Sequence, residues 1–163
     1  MRTGARVSVM AMAGVVALVV GVGGARAQGA VDPYVGTWKM NLAKSTSSAP
    51  LPKSRTVTIT SAGANAIKVV VDEVGADGAA ANWSFTTAKD GKDTAVTGSP
   101  MADTAAMTMH GPRSGVTVYK KAGKAVREVT TDVSADGKTF TTTSKGTDAQ
   151  GKPVTATAIY ERS

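Results

Sequence analysis

The feature that most restricts this chain is a repeated rhythm: short Thr- and Val-rich runs separated by turn-forming clusters. Such clusters stand at Ala62-Gly63-Ala64-Asn65, Gly75-Ala76-Asp77-Gly78, Asp90-Gly91-Lys92-Asp93 and Gly98-Ser99-Pro100. More follow at Gly111-Pro112-Arg113-Ser114-Gly115, Ala122-Gly123-Lys124, Ala135-Asp136-Gly137-Lys138 and Asp148-Ala149-Gln150-Gly151-Lys152. Glycine supplies the positive φ that tight turns need, and Asp-Gly favours hairpins. The clusters recur at about 9–14 residues, the interval of hairpin-linked strands.

Between the turns the side chains alternate with a period of two. Val57 and Ile59 oppose Thr56, Thr58 and Thr60; Ile67, Val69 and Val71 oppose Lys68, Val70 and Asp72. Trp83 and Phe85 oppose Asn82, Ser84 and Thr86. Val116 and Val118 oppose Thr117 and Tyr119, and Val129, Thr131 and Val133 oppose Glu128, Thr130 and Asp132. The last run sets Val154, Ala156, Ala158 and Tyr160 against Thr155, Thr157, Ile159 and Glu161. This is the signature of half-buried antiparallel strands, and no helical stripe competes with it after residue 30. Ten strands are predicted, at 36–42, 54–61, 66–74, 81–88, 93–97, 105–110, 115–121, 125–134, 138–146 and 153–162. A flat sheet of that size would leave two pairing edges exposed, and curling into a barrel removes them. The predicted fold class is all-β, an antiparallel up-and-down β-barrel, with an open curved sheet as the alternative. One stretch breaks the rhythm: 41–55 carries Pro50 and Pro52, which disfavour helix, and reads as a loop or a lid over one barrel end.

The N-terminus reads as an export signal. Arg2 and Arg6 precede an apolar run from Val7 to Val22, and Ala25-Arg26-Ala27 offers small residues for cleavage. That run is about 16 residues, whereas a membrane span needs roughly 20. The expected division is a signal peptide at 1–27 and a barrel domain at 28–163, placing the mature protein in the periplasm or outside the cell. No membrane span is expected in the mature chain. Three arginines leave with the signal, so nineteen basic residues become sixteen against twelve acidic ones, and the net charge falls from +7 to +4.

Composition excludes several chemistries. There is no cysteine, so disulfides, thiol catalysis and cysteine-held metals are ruled out. The single histidine, His110, follows Met107-Thr108-Met109, a group with the right atoms for Cu(I). Strand alternation, however, puts both methionines on one face and His110 on the other. No metal and no cofactor is expected. Asp132, Glu128 and Glu161 fall on outward faces, and the remaining aspartates crowd the turns, so no catalytic constellation is expected and the protein is read as a non-enzyme. The one dense basic cluster, Lys120-Lys121-Ala122-Gly123-Lys124, lies in a turn without aromatic neighbours, so nucleic acid is not an expected partner. Nothing in the sequence bears on oligomeric state.

The two ends of the domain resemble a known family. Gly36-Thr37-Trp38 within Asp32–Met40 is similar to the opening strand of the calycins, and Ile159-Tyr160-Glu161-Arg162 to the closing strand of their fatty-acid-binding branch. The run Gly36 to Ser45 also resembles a group of exported bacterial lipocalin-like proteins. The resemblance implies a ten-strand barrel with Trp38 plugging one end and a small apolar or amphipathic ligand inside. In the fatty-acid-binding branch an arginine two residues before the tyrosine captures a carboxylate; here Tyr160 is kept but that position holds Ala158. Arg127 shares the alternation of Val129, Thr131 and Val133, so it either points inward to supply the missing charge or, near its strand end, reaches solvent. The expected ligand-binding residues are Arg127, Tyr160, Trp83 and Phe85, with Ala156, Ala158 and Ala95 as small inward residues that leave room. The competing expectation is a ligand-free structural or envelope-associated β domain acting through protein contacts.

Overall fold

The structure is a computed structural model and describes residues 31–148 and 150–163. The expected export signal at 1–27 lies outside the described residues. Strands form at β1 (Gly36–Met40), β2 (Thr46–Ser47), β3 (Ser54–Ser61), β4 (Ile67–Val74), β5 (Ala80–Thr87) and β6 (Asp90–Thr97). They continue with β7 (Thr104–Met109), β8 (Ser114–Lys121), β9 (Lys124–Val133), β10 (Thr139–Thr147) and β11 (Pro153–Arg162). From β3 onward each strand pairs antiparallel with the next, β1 pairs with β3, and β1 also pairs with β11. The result is a closed ten-strand up-and-down barrel, not an open sheet. Every predicted strand is present, with ends within three residues of those expected.

The segment 41–55 is a structured strap. A short 3-10 helix, Leu42–Lys44, is capped by Asn41, whose Oδ1 accepts from the Lys44 amide at 3.2 Å. β2 then continues the line of β1 along β11, pairing Thr46 with Thr157 and Ser47 with Ala156. Ser48 and Thr155 exchange bonds, the Ser48 amide donating to Thr155 O at 2.9 Å and the Thr155 amide to Ser48 Oγ at 3.0 Å. The chain therefore flanks β11 along most of its length, and only 49–52 turns in over the barrel mouth.

The opposite end is sealed. Trp38 is fully buried, and its indole N–H donates to Tyr34 O at 2.9 Å. Tyr34 and Phe140 meet edge to face with centroids 5.9 Å apart. The Arg162 guanidinium lies 4.1 Å from the Trp38 ring centroid and donates to Val35 O at 2.7 Å and Pro33 O at 3.0 Å. Gly36 has a φ of +151°, which residues with a side chain rarely adopt, and a Cβ there would also press on that guanidinium. Lys89 and Asp32 form an ion pair that ties the leading segment to the β5–β6 turn. Trp38 thus closes the floor, the structural role that the Gly-x-Trp resemblance implies.

The structure decides the facing of β8, which alternation left open, and corrects that of Ala95. In β8 the inward set is Thr117 and Tyr119, both buried, and Val116 and Val118 lie outside. Register decides this: Tyr119 sits opposite Ala105 and Arg127, and Thr117 opposite Met107 and Val129. Valine and threonine suit a strand equally, so their alternation gives no facing when one side holds Thr and Tyr. Ala95 is exposed, because Val96 pairs with Phe85 and takes the inward place. β5 and β6 pair only at Ser84–Thr97 and Phe85–Val96, so this is the thinnest seam of the wall.

Candidate functional site

Between the floor and the strap the barrel encloses a cavity of ≈ 390 Å³. Its walls are apolar over much of their area, with Val57 and Ile59 from β3, Val69 and Val71 from β4, and Met107 from β7. Pro50, Leu51 and Pro52 of the strap and Pro100 and Met101 of the β6–β7 loop border the mouth. This is the form of a small-molecule site: concave, mainly apolar, with few polar groups.

All four residues expected to bind a ligand line this space. Tyr160 sits on β11, and its hydroxyl accepts from Arg55 Nη1 at 3.5 Å. Trp83 and Phe85 stand two residues apart on β5, their ring planes within 11° of parallel and their centroids 6.2 Å apart. Arg127, on β9, faces Tyr119 on one side and Gly146 on the other. Gly146 matters for that placement: a Cβ there would come within 3.0 Å of Arg127 Cα and 2.5 Å of Val126 O. Ala158 also lines the cavity.

Three polar residues were not anticipated. Arg55 forms an ion pair with Glu73, directly opposite it in the β3–β4 ladder. Both line the cavity, as does Tyr119. The signal for two of them was present in the sequence. Arg55 shares the parity of Val57 and Ile59, and Glu73 that of Val69 and Val71, so alternation turns both inward. Tyr119 is turned inward by its register with Ala105 and Arg127.

The electrostatics are uneven. Burial disfavours the charge on Arg55, but Tyr160 and Glu73 outweigh it, and its pKa lies above the ordinary guanidinium value. Arg127 is the reverse case. Burial, and then the nearby charge of Arg55, lower its pKa, and its guanidinium makes no hydrogen bond or ion pair among the described residues. A guanidinium stays protonated in either setting. The cavity therefore holds two cations and one anion, and the cation without a partner among the described residues is Arg127. Burial, helped by Tyr160, pushes the Tyr119 hydroxyl well above the usual phenol range, so Tyr119 is a neutral donor.

Elsewhere the site chemistry weighed from sequence stays apart. Met107 faces the cavity while His110 is exposed at the β7–β8 turn. Among the described residues no three His, Asp or Glu side chains gather as a metal site. Lys120 and Lys121 of the basic turn are paired with Asp93 and Asp103 at 2.8 and 2.7 Å. No described helix is long and apolar enough to cross a membrane.

No protein-family model matches the chain, and no curated protein matches it. Solved structures do. A mutant of the fluorescent protein UnaG superposes with a TM-score of 0.55 at 18% identity, over 82% of this chain and 98% of that one. The S-type phycobiliprotein lyase CPES from Guillardia theta gives a TM-score of 0.55 at 14% identity, over 80% and 89%. Zebrafish ileal bile acid-binding protein complexed with cholic acid gives 0.46 at 11% identity, over 80% and 99%. At these identities the likeness is one of fold alone, a closed ten-strand antiparallel barrel.

Proposed function

We propose that this protein is an exported carrier, periplasmic or extracellular, that holds a small amphipathic molecule bearing one negative charge. The observation that carries the reading is Arg127: a guanidinium without a partner among the described residues, facing a ≈ 390 Å³ cavity with apolar walls. A half-buried cation left unpaired costs stability, and an anionic ligand removes that cost by making charge-assisted, bidentate hydrogen bonds. Arg55 is already satisfied by Glu73, so one anion, not two, balances the interior. Tyr119 and Tyr160 stand beside the cations and offer hydroxyls for further bonds to the same head group. The residues bind and orient; none of them forms a nucleophile–base pair, and the reading is of a carrier, not an enzyme.

Export rests on the sequence of 1–27 and is tested separately, by fractionating host cells and sequencing the mature N-terminus. A protein beginning at Gln28 outside the cytoplasm supports it, and a cytoplasmic protein retaining 1–27 contradicts it. Binding is tested by titration with anilinonaphthalenesulfonate and competition by long-chain carboxylates. Saturable, one-to-one binding that carboxylates displace supports the reading. Absence of binding by the folded protein contradicts it and favours the structural role.

A further inference from the structure

We infer, resting on the carrier reading above, that the anion this cavity is shaped for is a planar aromatic acid, its carboxylate on Arg127 and its rings against Trp83 and Phe85.

The chain is poor in aromatic residues, with two Trp, three Tyr and two Phe in all. Every one of them faces the barrel interior, and all but Trp38 line the cavity. They fall into two groups with different work. The floor group, Tyr34, Trp38, Phe140 and Tyr160, is linked ring to ring at 5.4–5.9 Å and plugs the closed end. That plug accounts for its own members. The wall group is Trp83, Phe85 and Tyr119; Phe85 and Tyr119 are buried in the core, and Trp83 packs against it. The three rings touch one another, with Tyr119 at 89° to Trp83 and 88° to Phe85, and border open space. Trp83 is only half-buried. The indole face left open beside the cavity gains from a ligand that covers it, and a ring is covered best by another ring.

The placement of the charge points the same way. Arg127 lies directly across the β8–β9 ladder from Tyr119, and Tyr119 stands at right angles to both Trp83 and Phe85. Cation, tyrosine and parallel rings therefore run in one continuous line. In a ring of ten strands β5 lies opposite β10, and there, above Phe140 and Tyr160 of the floor group, the cavity is lined by smaller side chains, Thr142 and Ser144 on β10 and Ala156 and Ala158 on the adjacent β11. A rigid flat body has room between that side and the rings of β5. A flexible alkyl chain would be served equally by aliphatic walls and gives no reason to gather Trp83, Phe85 and Tyr119 next to Arg127.

The test is calorimetric and uses a matched pair: anthracenecarboxylate, and its fully hydrogenated counterpart with the same skeleton and charge but puckered rings. The aromatic acid is expected to bind about tenfold tighter or more, two contacted rings each giving about twofold to tenfold. Trp83→Leu keeps an apolar side chain and is expected to cut that preference at least fivefold. Phe85→Leu is the second variant, read the same way should Trp83→Leu not fold. Bound anthracenecarboxylate is also expected to show an induced circular dichroism band that Trp83→Leu weakens. If both acids bind and the saturated one is equal or tighter, the aromatic class is overturned and the anionic carrier stands. If neither binds the folded protein, the carrier reading falls and this inference with it.

Discussion

Replacing Arg127 with leucine is expected to make the empty protein more stable and its anion binding much weaker. The stability side follows from the absence of any partner. Among the described residues Arg127 makes no hydrogen bond or ion pair, and burial and Arg55 both act against its charge. Leucine removes the desolvation and the repulsion and adds apolar surface beside Val129, another cavity-lining residue. A relief of about 1 kcal/mol is expected, which for a domain of this size is roughly 3–5 °C in Tm. The binding side follows from the lost charge pair: removing one partner of a desolvated charge pair costs about 2–5 kcal/mol, about thirtyfold or more in Kd. Thermal unfolding followed by circular dichroism reads the first. Titration with anilinonaphthalenesulfonate, beside its uncharged counterpart phenylnaphthylamine, reads the second. The parent should prefer the sulfonate, and Arg127→Leu should lose that preference while still accepting the neutral dye. A variant that melts several degrees below the parent would refute the reasoning, because Arg127 would then be a structural tie. So would a variant that keeps the parent's preference for the anion.

Three further outcomes are expected. Trp38→Ala opens the sealed end, and loss of a fully buried indole costs about 3–5 kcal/mol, visible as a lower denaturant midpoint or as failure to fold. Gly146→Ala forces a Cβ to within 2.5 Å of Val126 O, so β10 must shift at Arg127; stability is expected to fall by about 1–3 kcal/mol, and anion affinity with it. Tyr34 and Tyr119 are held neutral by burial, with folded pKa values above the ordinary 10.0. Their contribution to stability is therefore whole below the ordinary phenol value and is lost as the pH rises through the folded values. Tyrosinate absorbance should accordingly lag that of the urea-unfolded chain and rise together with alkaline unfolding.

Most of the fold was legible because two signals agreed along the whole chain. Alternation located ten strands, and Gly- and Asp-bearing turns fixed their ends, as at Gly75-Ala76-Asp77-Gly78 between β4 and β5. Facing was legible where one side was plainly apolar, as with Ile67, Val69 and Val71, and failed where it was not. At Val116–Tyr119 the inward residues are a threonine and a tyrosine, chosen by register with β7 and β9, which no single strand encodes. β2 escaped notice because two residues are too few to show a period. The site was half legible. Arg127, Tyr160, Trp83 and Phe85 share one cavity, but Arg55 and Glu73 were passed over because each, taken alone, looks like an exposed charge at a strand end. Their ladder pairing is what makes burial of both tolerable.

The central claim is that the barrel carries one amphipathic anion on Arg127. Its most direct test is a native mass spectrum of the protein purified from its own host without denaturation. The account predicts a one-to-one adduct of a small acidic molecule, absent from Arg127→Leu purified in the same way. A clean mass of the protein alone, from a sample that also fails to bind anilinonaphthalenesulfonate, would contradict it.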